Sequence, residues 1–96
     1  MSSDLQCPAT AVLLPLGDPA PAWLVRLPVA GRFAASGWAH VTSLVNETAD
    51  LYRGETFAVT APAVDLAEAL HRRGIVAQPP VIVEVDSGGW RMAPEP

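Results

Sequence analysis

Apolar and polar residues alternate with a period of two over much of the first half of the chain. Ala11-Val12-Leu13-Leu14, closed in by Pro8 and Pro15, reads as a short buried strand within residues 9–16. An apolar run this short between prolines suits a strand better than a helix. Gly17-Asp18-Pro19-Ala20-Pro21 follows as a turn or stiff loop. Trp23, Val25, Leu27 and Val29 then alternate with Leu24 and Arg26, the pattern of a half-buried strand. Pro28 has no N–H, so that strand should end at an edge or a bulge. Ala30-Gly31-Arg32 turns the chain, and the flanking strands can pair about it as a hairpin.

Residues 32–45 form the longest strand-like stretch, interrupted at Gly37. Beyond Gly37, Ala39, Val41, Ser43 and Val45 share one face, while Trp38, His40, Thr42 and Leu44 share the other. Apolar groups on both faces predict a central strand. Asn46-Glu47-Thr48-Ala49-Asp50 reads as a turn. Leu51-Tyr52-Arg53 and residues 55–59 are short strand candidates around Gly54.

The pattern changes after residue 60. Ala63, Leu66, Ala67 and Leu70 form a helical stripe within residues 60–73. Thr60 is the candidate cap, with Pro62 in the first turn; a shorter helix could start at Asp65, which with Glu68 resembles a capping box. Glu68 and Arg72 stand four apart, and Gly74 is a natural stop with Ile75 placed to fold back. After Pro79-Pro80, Val81, Val83 and Val85 point inward, opposite Ile82 and Glu84. Asp86-Ser87-Gly88-Gly89 then turns into a last short strand at Trp90-Arg91-Met92.

This order predicts an α+β domain. It would be a small, mostly antiparallel sheet or partly closed barrel, with one helix at about residues 61–73 before the last strands. Residues 1–8 are expected to be a flexible segment, 9–92 the single globular domain, and 93–96 a frayed end.

Composition narrows the role. Half of the 96 residues are apolar, ample for a folded core. Alanine and valine dominate them, leaving Trp23, Trp38 and Trp90 as the large anchors. Ten carboxylates face six arginines and no lysine, for a net charge of −4. That balance argues against nonspecific nucleic-acid binding, which needs a basic face. A lysine-free chain rich in Ala, Pro, Gly and Arg suggests a GC-rich bacterial or phage genome. The lone Cys7 allows no intrachain disulfide and suits a reducing, cytoplasmic setting. No secretory signal or membrane-length apolar run is visible.

Candidate chemistry is sparse. Cys7 could serve as a thiol, with His40 or His71 as a base. The two histidines lie far apart in sequence, so a metal site could form only through the fold. No glycine-rich loop opens a helix, so no phosphate cradle or cofactor is implied. Trp23, Arg26, Arg32, Phe33, Trp38, Tyr52 and Arg53 give a thin aromatic–basic pattern for stacking single-stranded nucleic acid.

Apolar residues on both faces of the strand-like segments instead require barrel closure or a partner surface. The expectation is a non-enzymatic protein-interaction module: an adaptor, an inhibitor, or a regulatory or structural subunit. It would dock on another protein or a second copy through a sheet face or edge at Trp23, Arg26, Trp38 and His40. The alternatives are an accessory or catalytic enzyme subunit using His40, His71 or Cys7, and an OB-like single-stranded nucleic-acid binder.

Overall fold

A computed structural model describes residues 7–96. Most of the expected flexible segment 1–8 lies outside the described residues. Pro8, at its end, accepts a hydrogen bond from the Gly54 N–H at 3.1 Å.

Five strands and two helices make an α+β domain. The strands are β1 (Ala9–Pro15), β2 (Gly31–Ala34), β3 (Thr56–Ala61), β4 (Val81–Asp86) and β5 (Gly89–Ala93). The helices are α1 (Trp38–Leu51), between β2 and β3, and α2 (Ala63–Arg72), between β3 and β4. The sheet order is β2-β3-β1-β4-β5. It is open, with β2 and β5 at its edges, and does not close into the barrel held as one option. Neither is it mostly antiparallel: β3 runs parallel to both β1 and β2, while β4 is antiparallel to β1 and β5. Parallel neighbours need a long crossover rather than a hairpin, and α1 supplies the one from β2 to β3.

That crossover overturns the expected central strand at residues 38–45 and the turn at 46–50. Val41, Val45, Thr48 and Ala49 are the buried residues of α1, a helical spacing of four, seven and eight. Helix and strand periods both bring positions 41 and 45 to one side; only the continuation to 48 and 49 separates them. The segment read as a strand at 23–29 is likewise not one. Pro21 precedes a 3-10 turn over Ala22–Arg26, closed by Leu27 N–H to Leu24 O at 3.1 Å. Leu24 is buried and Val25 is 89% exposed, whereas alternation would place Val25 beside Trp23 and opposite Leu24. The expected hairpin about Gly31 is therefore absent, because β2 pairs with β3 instead.

The later elements follow their sequence patterns. The expected helix at 61–73 is α2, with Pro62 rather than Thr60 at its N-cap. It ends with Gly74 N–H donating to His71 O and Ile75 N–H to Leu70 O, the pairing that satisfies a helix's last carbonyls. In β4, Val81, Val83 and Val85 join the helix-side core and Ile82 faces the other way.

The core has two unequal parts. On one face of the sheet, Ala11, Leu13, Phe57, Val59 and Val83 pack under α1 and α2 through Val41, Val45, Leu66 and Leu70. On the other face, Val12, Ala58 and Ile82 lie against Leu24, with Trp23, Leu27 and Val29 half-buried around them.

The turn from β4 to β5 is held electrostatically. Asp86 accepts from Arg91 Nη1 and from Gly88 N–H, both at 2.8 Å. These bonds, the Arg91 one foremost, hold the Asp86 carboxyl below the usual carboxylate range. A lowered folded-state pKa stabilises above the unfolded value, and that stability is lost as pH falls through the folded value. Asp86→Asn should therefore flatten part of the acid limb when urea midpoints are compared from neutral to strongly acidic pH. An unchanged acid limb would exclude this contribution.

Candidate interaction surface

The four residues expected to dock together fall on two sides of the sheet. Trp38 and His40 belong to the first turn of α1, in the helical layer. Trp23 and Arg26 belong to the segment on the opposite face, Trp23 half-buried against the sheet and Arg26 exposed.

Trp38 is set by the local fold. Gly37 caps α1 with φ +90° and ψ 140°, and its N–H donates to Asp65 Oδ2 on α2 at 2.9 Å. That bond ties the start of α1 to the first turn of α2. The indole remains 38% exposed, and the Arg72 guanidinium lies over its ring at 3.7 Å. Arg72 is held in turn by Glu68, Nε to Oε2 at 2.8 Å. An exposed ion pair of this kind adds only a few tenths of a kcal/mol. Its consequence is geometric: it favours placing the guanidinium over the ring, where a cation–π contact is worth about 0.5–1 kcal/mol.

Glu68 also borders an apolar groove of about 460 Å³ between α2 and residues 75–78, lined by Val64, Ala67, His71, Ile75 and Val76. Val64 is 75% and Val76 92% exposed. Trp38 thus meets Arg72, Arg72 meets Glu68, and Glu68 borders the groove that Val64 and Val76 line. Val64 carried a readable signal, a valine on the polar side of the helical stripe. The Arg72–Trp38 pairing carried none, since the two residues stand 34 apart and meet only through the fold.

The residues of the enzyme alternative are dispersed. His40 Nδ1 accepts from Ser36 N–H at 3.3 Å, His71 lines the groove, and Cys7 is an exposed free thiol. Cys7 precedes β1, whereas His40 follows β2, so the parallel strands separate them end from end. Among the described residues no three His, Cys, Asp or Glu side chains gather to hold a metal ion.

A polar cleft of about 240 Å³ lies between the ends of the helices and the β4–β5 turn. Its charges face protein partners: Arg53 pairs with Asp50 at 3.2 Å, and Arg73 stands 5.3 Å over Trp90. Trp90 Nε1 donates to Asn46 Oδ1 at 2.8 Å.

The aromatic–basic pattern does not gather on one platform either. Phe33 and Tyr52 stack edge-on, 5.9 Å apart, against the helix-side core, while Trp23 lies across the sheet. No helix among the described residues is long and apolar enough to cross a membrane. No protein-family model, curated protein or solved structure matches the chain.

Proposed function

We propose that this domain is a non-enzymatic protein-interaction module that docks through the outer surface of its two helices. The observation that carries this reading is the pre-positioned Trp38–Arg72 pair beside an apolar groove with two nearly bare valines. Tryptophan and arginine are the side chains most enriched at binding hot spots, and fixing them before binding lowers the entropic cost of association. Glu68, His71 and His40 supply a polar rim of the kind found around interface cores. The exposed Cys7 thiol suits a reducing, cytoplasmic compartment.

The test is native mass spectrometry of the protein captured gently from its host lysate. A second polypeptide in fixed stoichiometry, or a second copy, is expected. Trp38→Ala and Val64→Asp should each weaken that association by at least about tenfold while leaving the circular dichroism spectrum unchanged. A bare monomer, or undiminished association of both folded variants, would overturn the reading. A bound small-molecule or metal mass would redirect it toward a ligand-binding or catalytic subunit.

A further inference from the structure

The sheet face opposite the helices is covered by the segment that links β1 to β2. Leu16 N–H donates to Ala61 O and Ala30 N–H to Thr56 O, both at 2.8 Å, and these bonds tether its two ends. Between them the backbone bonds are local: Asp18 N–H to Pro15 O, Leu24 N–H to Pro21 O and Leu27 N–H to Leu24 O. Among the described residues, none of these intervening bonds reaches the sheet except that of Asp18, which goes only to Pro15 at the end of β1. What holds the middle down is side-chain packing, with Leu24 buried and Trp23, Leu27 and Val29 half-buried over Val12, Ala58 and Ile82.

The covering segment is stiff inside and articulated at its start. Pro19, Pro21 and Pro28 fix φ along it, and the 3-10 turn keeps Trp23, Leu24 and Leu27 together. Gly17, at φ +90° with open space where a Cβ would stand, provides a joint between β1 and the prolines. A stiff piece held by one patch of apolar contacts between two tethers has the features of a locally opening unit.

We propose that residues 18–29, between those tethers, form a strap that lifts as a unit while the sheet and both helices stay folded, uncovering the apolar face of Val12, Ala58 and Ile82. The uncovered face is separate from the Trp38 surface, so the proposal does not depend on that docking role. The strap carries Trp23 on its inner side and Arg26 on its outer side, so lifting would expose Trp23 together with the sheet.

Thiol labelling under native conditions tests this. In a Cys7→Ser background, Ala58→Cys places a thiol beneath the strap. Val59→Cys places one at the next residue of β3, beneath the helices. The Ala58→Cys thiol should label at least about 100-fold faster, at a rate insensitive to low denaturant. Adding Leu24→Ala should speed it further. Ile82→Cys and Val83→Cys repeat the comparison on β4, should either substitution in β3 disturb the fold. Equal labelling rates with the same denaturant dependence in both pairs would show that the strap opens only with global unfolding, and would overturn the proposal.

Discussion

Phe57→Ala is expected to destabilise the domain by about 3–5 kcal/mol, a large part of the total stability of a domain this size. Phe57 is fully buried in β3, paired across the sheet with Ala11 on β1 and Gly31 on β2. Its ring meets Phe33 edge-on at 6.2 Å and Tyr52 at 5.7 Å. These three rings cluster at one place in a helix-side core that also holds Leu13, Leu66, Leu70 and several valines, and whose remaining positions include the alanines Ala9, Ala11, Ala49, Ala61 and Ala69. The cost of a truncation depends on how far its surroundings can collapse, and alanines have no side chain with which to fill a void. Gly31 cannot help: the Tyr52 ring already occupies the space above it, with Cζ 2.9 Å from where a Cβ would stand. Urea unfolding of Phe57→Ala beside Phe57→Leu checks the argument. Leucine should recover a substantial part of the loss. A midpoint for Phe57→Ala near the parent value would mean that the cluster contributes far less than its burial implies.

The parts of this fold that were legible in the sequence are those whose signals are local. The stripe at Leu66 and Leu70, the stop at Gly74 and the alternation of Val81, Val83 and Val85 each lie within a few residues. The structure keeps all three, but the buried side of α2 is Leu66, Ala69 and Leu70, so of the expected stripe Ala63 is exposed and Ala67 only half-buried. The first half misled because its patterns fit two periods at once. Val41 and Val45 share a side in a strand and in a helix alike, and the β-branched Val41, Thr42 and Val45 favour a strand by propensity. Tertiary context overrode that preference: β2 and β3 are parallel, and a parallel pair needs a crossover. The apparent strand at 23–29 failed for a related reason. Val12, Ala58 and Ile82 need cover on the side away from the helices, and a helical turn brings Trp23, Leu24 and Leu27 down together where a strand would separate them. The same misreading blurred the candidate surface. Trp38 and His40 are exposed, but they project from a helix and not from a sheet, so the neighbours that matter to Trp38 are Arg72 and Glu68 of α2. Trp23 and Arg26 belong to a different side of the molecule.

Gly37→Ala is expected to cost about 1–3 kcal/mol even though nothing lies within 4 Å of the added methyl group. The penalty is in the backbone. At φ +90° and ψ 140° an L-residue's Cβ collides with its own peptide groups, and glycine alone adopts such a conformation readily. Relief would require rotating the peptide at the junction of β2 and α1. That junction is bonded on both sides: the Gly37 N–H is bound to Asp65 Oδ2 at 2.9 Å, and its carbonyl accepts the Val41 N–H at 3.0 Å. Rotation would pull the N–H away from the α2 carboxylate or spoil the first turn of α1, so the strain persists or a hydrogen bond is lost. Asp65→Asn separates the two effects. It retains an oxygen acceptor and leaves the glycine unstrained, so its cost should be smaller than that of Gly37→Ala. Because Trp38 directly follows Gly37, the alanine variant should also change tryptophan fluorescence and, on the proposed docking role of Trp38, weaken partner capture by more than its lost stability alone would explain. Equal denaturation midpoints for Gly37→Ala and the parent would show that the chain turns into α1 without the left-handed residue. Lost stability with unimpaired capture would instead separate the placement of Trp38 from the geometry of this junction.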